Sequence, residues 1–65
     1  MLKSNIAELL KKSPYKREHI QKKLNISANT LSNWARGNTK PNAEDLFRLA
    51  KVLGVKVDDL YEYDE

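Results

Sequence analysis

Apolar residues recur along the chain at intervals of three and four, and polar punctuation cuts that rhythm into five segments. The first runs from about Lys3 to Lys12, with Leu2, Ile6, Leu9 and Leu10 at helical spacing and Glu8 four residues before Lys12. Ser13-Pro14 stops it, because the residue before a proline is pushed out of the helical region. The same pair can open the next helix, Ser13 as its cap and Pro14 at its first position. That second helix reaches Leu24, with Ile20 and Leu24 inward and Tyr15 just ahead of them. Asn25 tolerates the left-handed conformation that closes helices, and Ile26 stands alone in a very short connection. Ser27 is a good cap for a third helix from Ala28 to about Arg36, whose inner face is marked by Leu31 and Trp34 and whose end is Gly37. After the polar loop 38–42, Asn42 caps a fourth helix, with Asp45 three residues on as in a capping box. Leu46, Leu49, Ala50 and Leu53 turn inward there, and Phe47 lies to one side. Gly54 ends this helix, just before Val55. Asp58, Asp59, Leu60 and Tyr61 predict a short fifth helix with acidic residues suited to its first turn.

The pattern nominates a core of Ile6, Leu9, Leu10, Ile20, Leu24, Ile26, Leu31, Trp34, Leu46, Leu49, Ala50, Leu53 and Leu60, with Tyr15 and Phe47 as further packing residues. With 65 residues this is one domain, 1–65, with room for one small core. Residues 58–65 form an acidic end expected to fray, at least over 62–65, or to take part in a dimer contact; Val57, Leu60, Tyr61 and Tyr63 are the side chains such a contact would use. Cysteine is absent, which excludes disulfides, cysteine zinc sites and a thiol nucleophile. The single His19 builds no metal site alone and reads as a solvated helix residue. No nucleophile–base pair or phosphate-cradling glycine loop is present, so the sequence predicts neither an enzyme nor a cofactor or small-molecule site. The opening MLKSNIAELL is too polar for a signal peptide, and no apolar run approaches a membrane span; a cytoplasmic location is the expectation.

Charge adds a direction. Residues 1–40 hold nine Lys and Arg against two Glu, a net +7, whereas residues 41–65 carry a net −4. A basic front and an acidic tail suit a molecule with one face for a polyanion, although a soluble surface with segregated charge would look the same. Lys11-Lys12 and Lys22-Lys23 fit either description.

The informative stretch is about 15–37, where two short helices meet across Asn25-Ile26-Ser27. A second helix so placed can enter the DNA major groove if its inner face is apolar and its outer face short and polar. The third helix meets both conditions: Ala28, Asn29, Ser32 and Asn33 point away from Leu31 and Trp34. The run HIQKKLNISANTLSNWARGNTKPNAEDLFRLAKVLGV resembles the lambda-repressor/Cro-like (XRE-type) helix-turn-helix family. The resemblance rests on the joint spacing of Ile20, Leu24, Ile26, Ser27, Thr30, Leu31, Ser32, Trp34, Gly37, Pro41, Leu46, Leu49, Ala50, Leu53, Gly54 and Val55. It implies an all-α, compact five-helix domain with a central helix-turn-helix. Two departures stand out. Lys16-Arg17 replaces a frequent Thr-Gln, and Ala28 stands where relatives carry a long polar residue; Ala35 also replaces a frequent Glu.

For function, the resemblance implies sequence-specific binding to double-stranded DNA. The implied protein is a small transcriptional regulator, a repressor that occludes a promoter as a weak homodimer on a palindromic operator. Asn29 is the leading base reader, since Asn can bond bidentately to adenine. Asn33, Ala28 (through a thymine methyl) and Thr30 are the next candidates. Lys16, Arg17, Ser27, Ser32, Arg36, Asn38, Thr39 and Lys40 are the expected phosphate contacts, which position without reading sequence. The competing expectation is a protein-interaction module, such as an antitoxin or antirepressor.

Overall fold

A computed structural model of the chain describes residues 2–64. Their order is β1 (Leu2–Ser4), α1 (Ile6–Lys12), α2 (Arg17–Leu24), α3 (Ala28–Arg36), α4 (Ala43–Leu53), α5 (Val57–Leu60) and β2 (Tyr61–Tyr63). The five helices come in the order the apolar rhythm gives, and α3 and the cap of α4 match to the residue. Among the described residues nine side chains close the core: Ile6, Leu10, Ile20, Leu24, Leu31, Trp34, Leu49, Ala50 and Leu60. Leu9, Ile26, Leu46 and Leu53, expected inside, are half-buried against it, together with Ala35, Val52, Val55, Val57 and Tyr61. Helix α2 packs on both α3 and α4, and α1 packs on α3. The recognition candidate is therefore backed by apolar contacts on two sides.

Local chemistry explains most boundaries. Asn25 adopts φ 56°, ψ 49°, and the Ile26 amide returns to the Gln21 carbonyl at 3.0 Å, so α2 ends in a left-handed closure within one residue. Asn42 Oδ1 accepts the Asp45 amide at 2.8 Å and caps α4. The reciprocal half of the expected box is not made, because the Asp45 carboxylate instead faces Arg48 Nη1 at 3.4 Å. Arg48 also donates to the Lys23 carbonyl at 3.2 Å, pinning α4 to the end of α2. A bond of that reciprocal kind forms at α5, where the Lys56 amide donates to Asp59 Oδ2 at 3.0 Å.

Four expectations are corrected. The first helix begins at Ile6 rather than Lys3, and Leu2–Ser4 is a strand paired antiparallel with Tyr61–Tyr63, in the register Leu2↔Tyr63, Lys3↔Glu62, Ser4↔Tyr61. By the same pairing the end expected to fray is ordered through Tyr63; Glu65 lies outside the described residues. The cause is long-range: the Asn5 amide donates to the Leu60 carbonyl at 2.9 Å and Asn5 Nδ2 to the Asp59 carbonyl at 3.3 Å, bonds no local pattern announces. Second, α2 starts at Arg17, not Pro14. Ser13 serves as the C-cap of α1, and its Oγ accepts the Tyr15 amide at 3.1 Å in a turn. Third, Phe47 is 66% exposed, since the inward stripe of α4 is filled by Leu46, Leu49, Ala50 and Leu53. Fourth, Tyr15 is also exposed, its ring stacked on His19 with centroids 4.9 Å apart.

Candidate nucleic-acid interface

Helix α3 is held at both ends by its own sequence. Ser27 is extended at φ −79°, ψ 161°, and its Oγ accepts the Thr30 amide at 3.1 Å while sharing a 2.9 Å hydrogen bond with Thr30 Oγ1. At the other end Gly37 turns left-handed at φ 79°, a conformation that costs an L side chain energy. The turn brings the amides of Gly37 and Asn38 back to the carbonyls of Trp34 and Asn33 at 3.2 and 3.0 Å. Between these caps Leu31 and Trp34 are buried and fix the rotation of the helix. Ser4 Oγ adds a clamp by donating to the Trp34 carbonyl at 3.1 Å.

With that rotation fixed, Ala28, Asn29, Ser32, Asn33 and Arg36 share one outward strip at steps of three and four. Asn29 is exposed, and among the described residues its side-chain amide meets no other protein group, so donor and acceptor are both available. Asn33 is half-buried and differently employed. Its Oδ1 accepts from Arg36 Nη2 at 3.2 Å and from Asn38 Nδ2 at 3.5 Å. A bidentate bond to adenine requires that oxygen as acceptor from N6; as placed, Asn33 presents its NH₂ donors. Thr30 leaves the reading strip, since its hydroxyl is engaged with Ser27 on the flank of the helix. Ser27 is likewise committed to capping, while Ser32 remains on the strip.

The expected cations divide. Lys16 and Arg17 are exposed at the N-terminus of α2, and Lys16 makes no side-chain cap. Among the described residues the amides of Arg17 and Glu18 meet no protein acceptor, leaving two donors beside two positive side chains, with the Glu18 carboxylate as the local opponent. Arg36 stands at the end of the strip, held by Asn33, and Asn38 and Thr39 come next in the loop. Lys40 is exposed, but it lines a groove with Leu2, Pro41 and Tyr61. Sequence reasoning did not find the Asn33–Arg36–Asn38 network. The i,i+3 spacing of Asn33 and Arg36 was the available signal.

Among the described residues no group of three or more His, Cys, Asp or Glu could hold a metal ion, and no helix is long and apolar enough to cross a membrane.

A family model described as helix-turn-helix matches residues 6–60. The chain belongs to this family, in its XRE/Cro-like branch of DNA-binding transcriptional regulators, whose members are binding proteins rather than enzymes. It is similar to an uncharacterized HTH-type transcriptional regulator of Methanocaldococcus jannaschii, 33% identical over 48 residues, which are 74% of this chain and 73% of that protein. It is also similar to the crystal structure of a transcriptional regulator from Listeria innocua, with a TM-score of 0.73 and 31% identity. That match covers 97% of this chain and 63% of the solved one, so the chain spans less than two thirds of that regulator's length.

Proposed function

We propose that this chain binds double-stranded DNA sequence-specifically by laying α3 in the major groove, and that it represses transcription in the cytoplasm by occluding a promoter as a homodimer. The observation that carries this reading is the outward strip of α3. It offers the free amide of Asn29 together with Ser32, Asn33 and Arg36 on a helix capped at both ends and immobilised by Leu31 and Trp34. Major-groove reading needs short polar groups on a rigid support, and this strip supplies them.

In this reading Asn29 pairs with an adenine edge and Ala28 meets a thymine methyl. Asn33 donates from its NH₂ group to base acceptors. Lys16 and Arg17, with the unpaired amides at the start of α2, seat one phosphate, and Arg36, Asn38 and Thr39 reach the backbone on the other side of the helix. A dimer would read two half-sites about 34–36 Å apart, one helical turn.

The test is selection from a random duplex library at about 150 mM salt, a condition at which the backbone term alone is weakened. A two-fold symmetric motif with that spacing supports the whole reading. Asn29→Ala should then lower affinity for the selected site by about 1–3 kcal/mol and relax preference at one position per half-site. Binding without enrichment would refute sequence reading by α3 and hand first place to a protein partner.

A further inference from the structure

The two asparagines of the α3 strip stand one turn apart in different chemical states. Asn29 is exposed, and among the described residues both ends of its amide are open. Asn33 is half-buried, and its side-chain oxygen is held from two sides, by Arg36 Nη2 at 3.2 Å and by Asn38 Nδ2 at 3.5 Å. Its backbone carbonyl is held as well, accepting the Asn38 amide at 3.0 Å and the Thr39 amide at 3.4 Å. The loop that follows Gly37 is thus wrapped onto Asn33 through both of its carbonyl groups.

The partners fix which way the Asn33 amide faces. A guanidinium offers N–H donors and no acceptor, so only the oxygen of Asn33 can face Arg36; a flipped amide would set N–H against N–H. Asn38 alone would not choose, because its own amide can present either end. The oxygen is therefore used on the protein side, and the NH₂ group is what remains for a ligand. Arg36 is exposed, and a single N–H holds Asn33, so its other N–H groups can meet a phosphate without releasing that bond.

A side chain that only donates reads the major groove differently from a free asparagine. Adenine sets the acceptor N7 beside the donor N6, so a donor-only group is opposed at one of the two. Cytosine presents a donor, and thymine presents the single acceptor O4 beside a methyl group. Guanine alone presents two neighbouring acceptors, O6 and N7, and it is the base that lysine and arginine, also donors only, select. We propose that Asn33 reads guanine, and that Arg36 and Asn38 are the positioning residues that set this choice by holding its oxygen. The assignment rests on the docking of α3 in the proposed function and deepens it, because one residue type then reads two bases on one helix: adenine at Asn29 and guanine at Asn33. Four residues of helix advance about 6 Å, enough to bring the two to different base pairs.

The experiment is selection from a random duplex library by the full chain, by Asn33→Ala, by Asn29→Ala and by the double variant Arg36→Met, Asn38→Ala. The position whose preference disappears in Asn33→Ala marks the base pair that Asn33 faces. In the unaltered chain that pair should be G·C, favoured over A·T on the order of ten-fold or more. The double variant releases the oxygen, so the same pair should move toward A·T by a similar factor, while the pair marked by Asn29→Ala keeps its base. Losing a phosphate contact lowers affinity for all sequences alike and moves neither ratio, which separates positioning from charge. Both replaced side chains are exposed, and circular dichroism checks the fold; the unaltered chain and Asn33→Ala identify the base without the double variant. An A·T pair facing Asn33 in the unaltered chain overturns the guanine assignment and leaves the proposed function standing. So does an Asn33→Ala that changes no position, and a folded double variant that keeps G·C overturns the role of Arg36 and Asn38. No enrichment by the unaltered chain overturns the proposed function and the guanine assignment together.

Discussion

Replacing Ser27 isolates one oxygen that organises the N-terminus of the reading helix. Its Oγ accepts the Thr30 amide at 3.1 Å and holds the Thr30 hydroxyl at 2.9 Å, so Ser27→Ala strands an amide and a hydroxyl at the first turn of α3. Both groups are near solvent, so water takes over part of the loss, and the cost should lie near the middle of the capping range, about 1 kcal/mol. For a domain of this size the urea slope lies toward the low end, about 1 kcal/mol per molar, so the unfolding midpoint should fall by about 1 M. Ser27→Asp should keep the midpoint close to that of the unaltered protein, because aspartate caps as well as serine and its charge suits the helix dipole. Its effect on DNA binding should be the opposite, since it brings a negative charge to the end of α3 that carries Ala28 and Asn29. Urea melts monitored by circular dichroism, with fluorescence anisotropy on a selected duplex, separate the two consequences. An unchanged midpoint for Ser27→Ala would refute the capping argument. Equal DNA affinity for Ser27→Asp and the unaltered chain would place the start of α3 away from phosphate and refute the docking.

Arg17→Ala should weaken binding to all duplexes about equally and lower the slope of log affinity against log salt by about one unit per bound chain, read from anisotropy titrations at several salt concentrations. Leu31→Ala removes a fully buried side chain beneath the reading strip and should cost about 2–5 kcal/mol in a urea melt, enough to leave much of so small a domain unfolded. Gly37→Ala should cost about 1 kcal/mol through backbone conformation alone; an added Cβ would meet only Ser4 Cβ at 3.9 Å, an ordinary contact, so a far larger loss in the same melt would refute the account of that turn. The Tyr61 hydroxyl is buried without a hydrogen-bond partner among the described residues, and burial raises its pKa above the usual 10.0, with the nearby Ser4 hydroxyl opposing in part. Because the folded state holds this proton more tightly than the unfolded chain, its contribution is intact below about pH 10 and disappears as pH climbs through the raised value. Tyr61→Phe should be neutral or stabilising at pH 7 and should reduce the alkaline loss seen in melts between about pH 9 and 12.

Helix order and most of the core were legible because they depend on short-range facts: spacing of three and four, Ser27 and Asn42 as caps, Asn25, Gly37 and Gly54 as closures. The errors share one origin. Leu2 continues the apolar rhythm of α1, yet it pairs with Tyr63 at the far end of the chain, and no window of neighbouring residues contains that information. Ser13-Pro14 satisfies the grammar of a helix start as well as that of a turn, and only the bond from the Tyr15 amide to Ser13 Oγ chooses between them. At the candidate site, the exposure of Asn29 was set by its phase against Leu31 and Trp34. The engagement of the Asn33 oxygen and the place of Lys40 on a groove were not legible, because both depend on where a loop settles after Gly37.

The pairing of the two chain ends also sets how the domain yields to force. Leu2 and Tyr63 face each other at the outer end of the ribbon, so a pull applied to both termini loads the backbone pairs one after another, as in opening a zipper, rather than all together in shear. The next bond inward is that of the Asn5 amide to the Leu60 carbonyl, adjoining the buried side chains of Ile6 and Leu60. Tension that peels three residue pairs therefore arrives at the hydrophobic core, and on the way it releases Ser4 from the last turn of α3. A tether at both ends would make this protein a mechanically weak one whose reading helix loosens early.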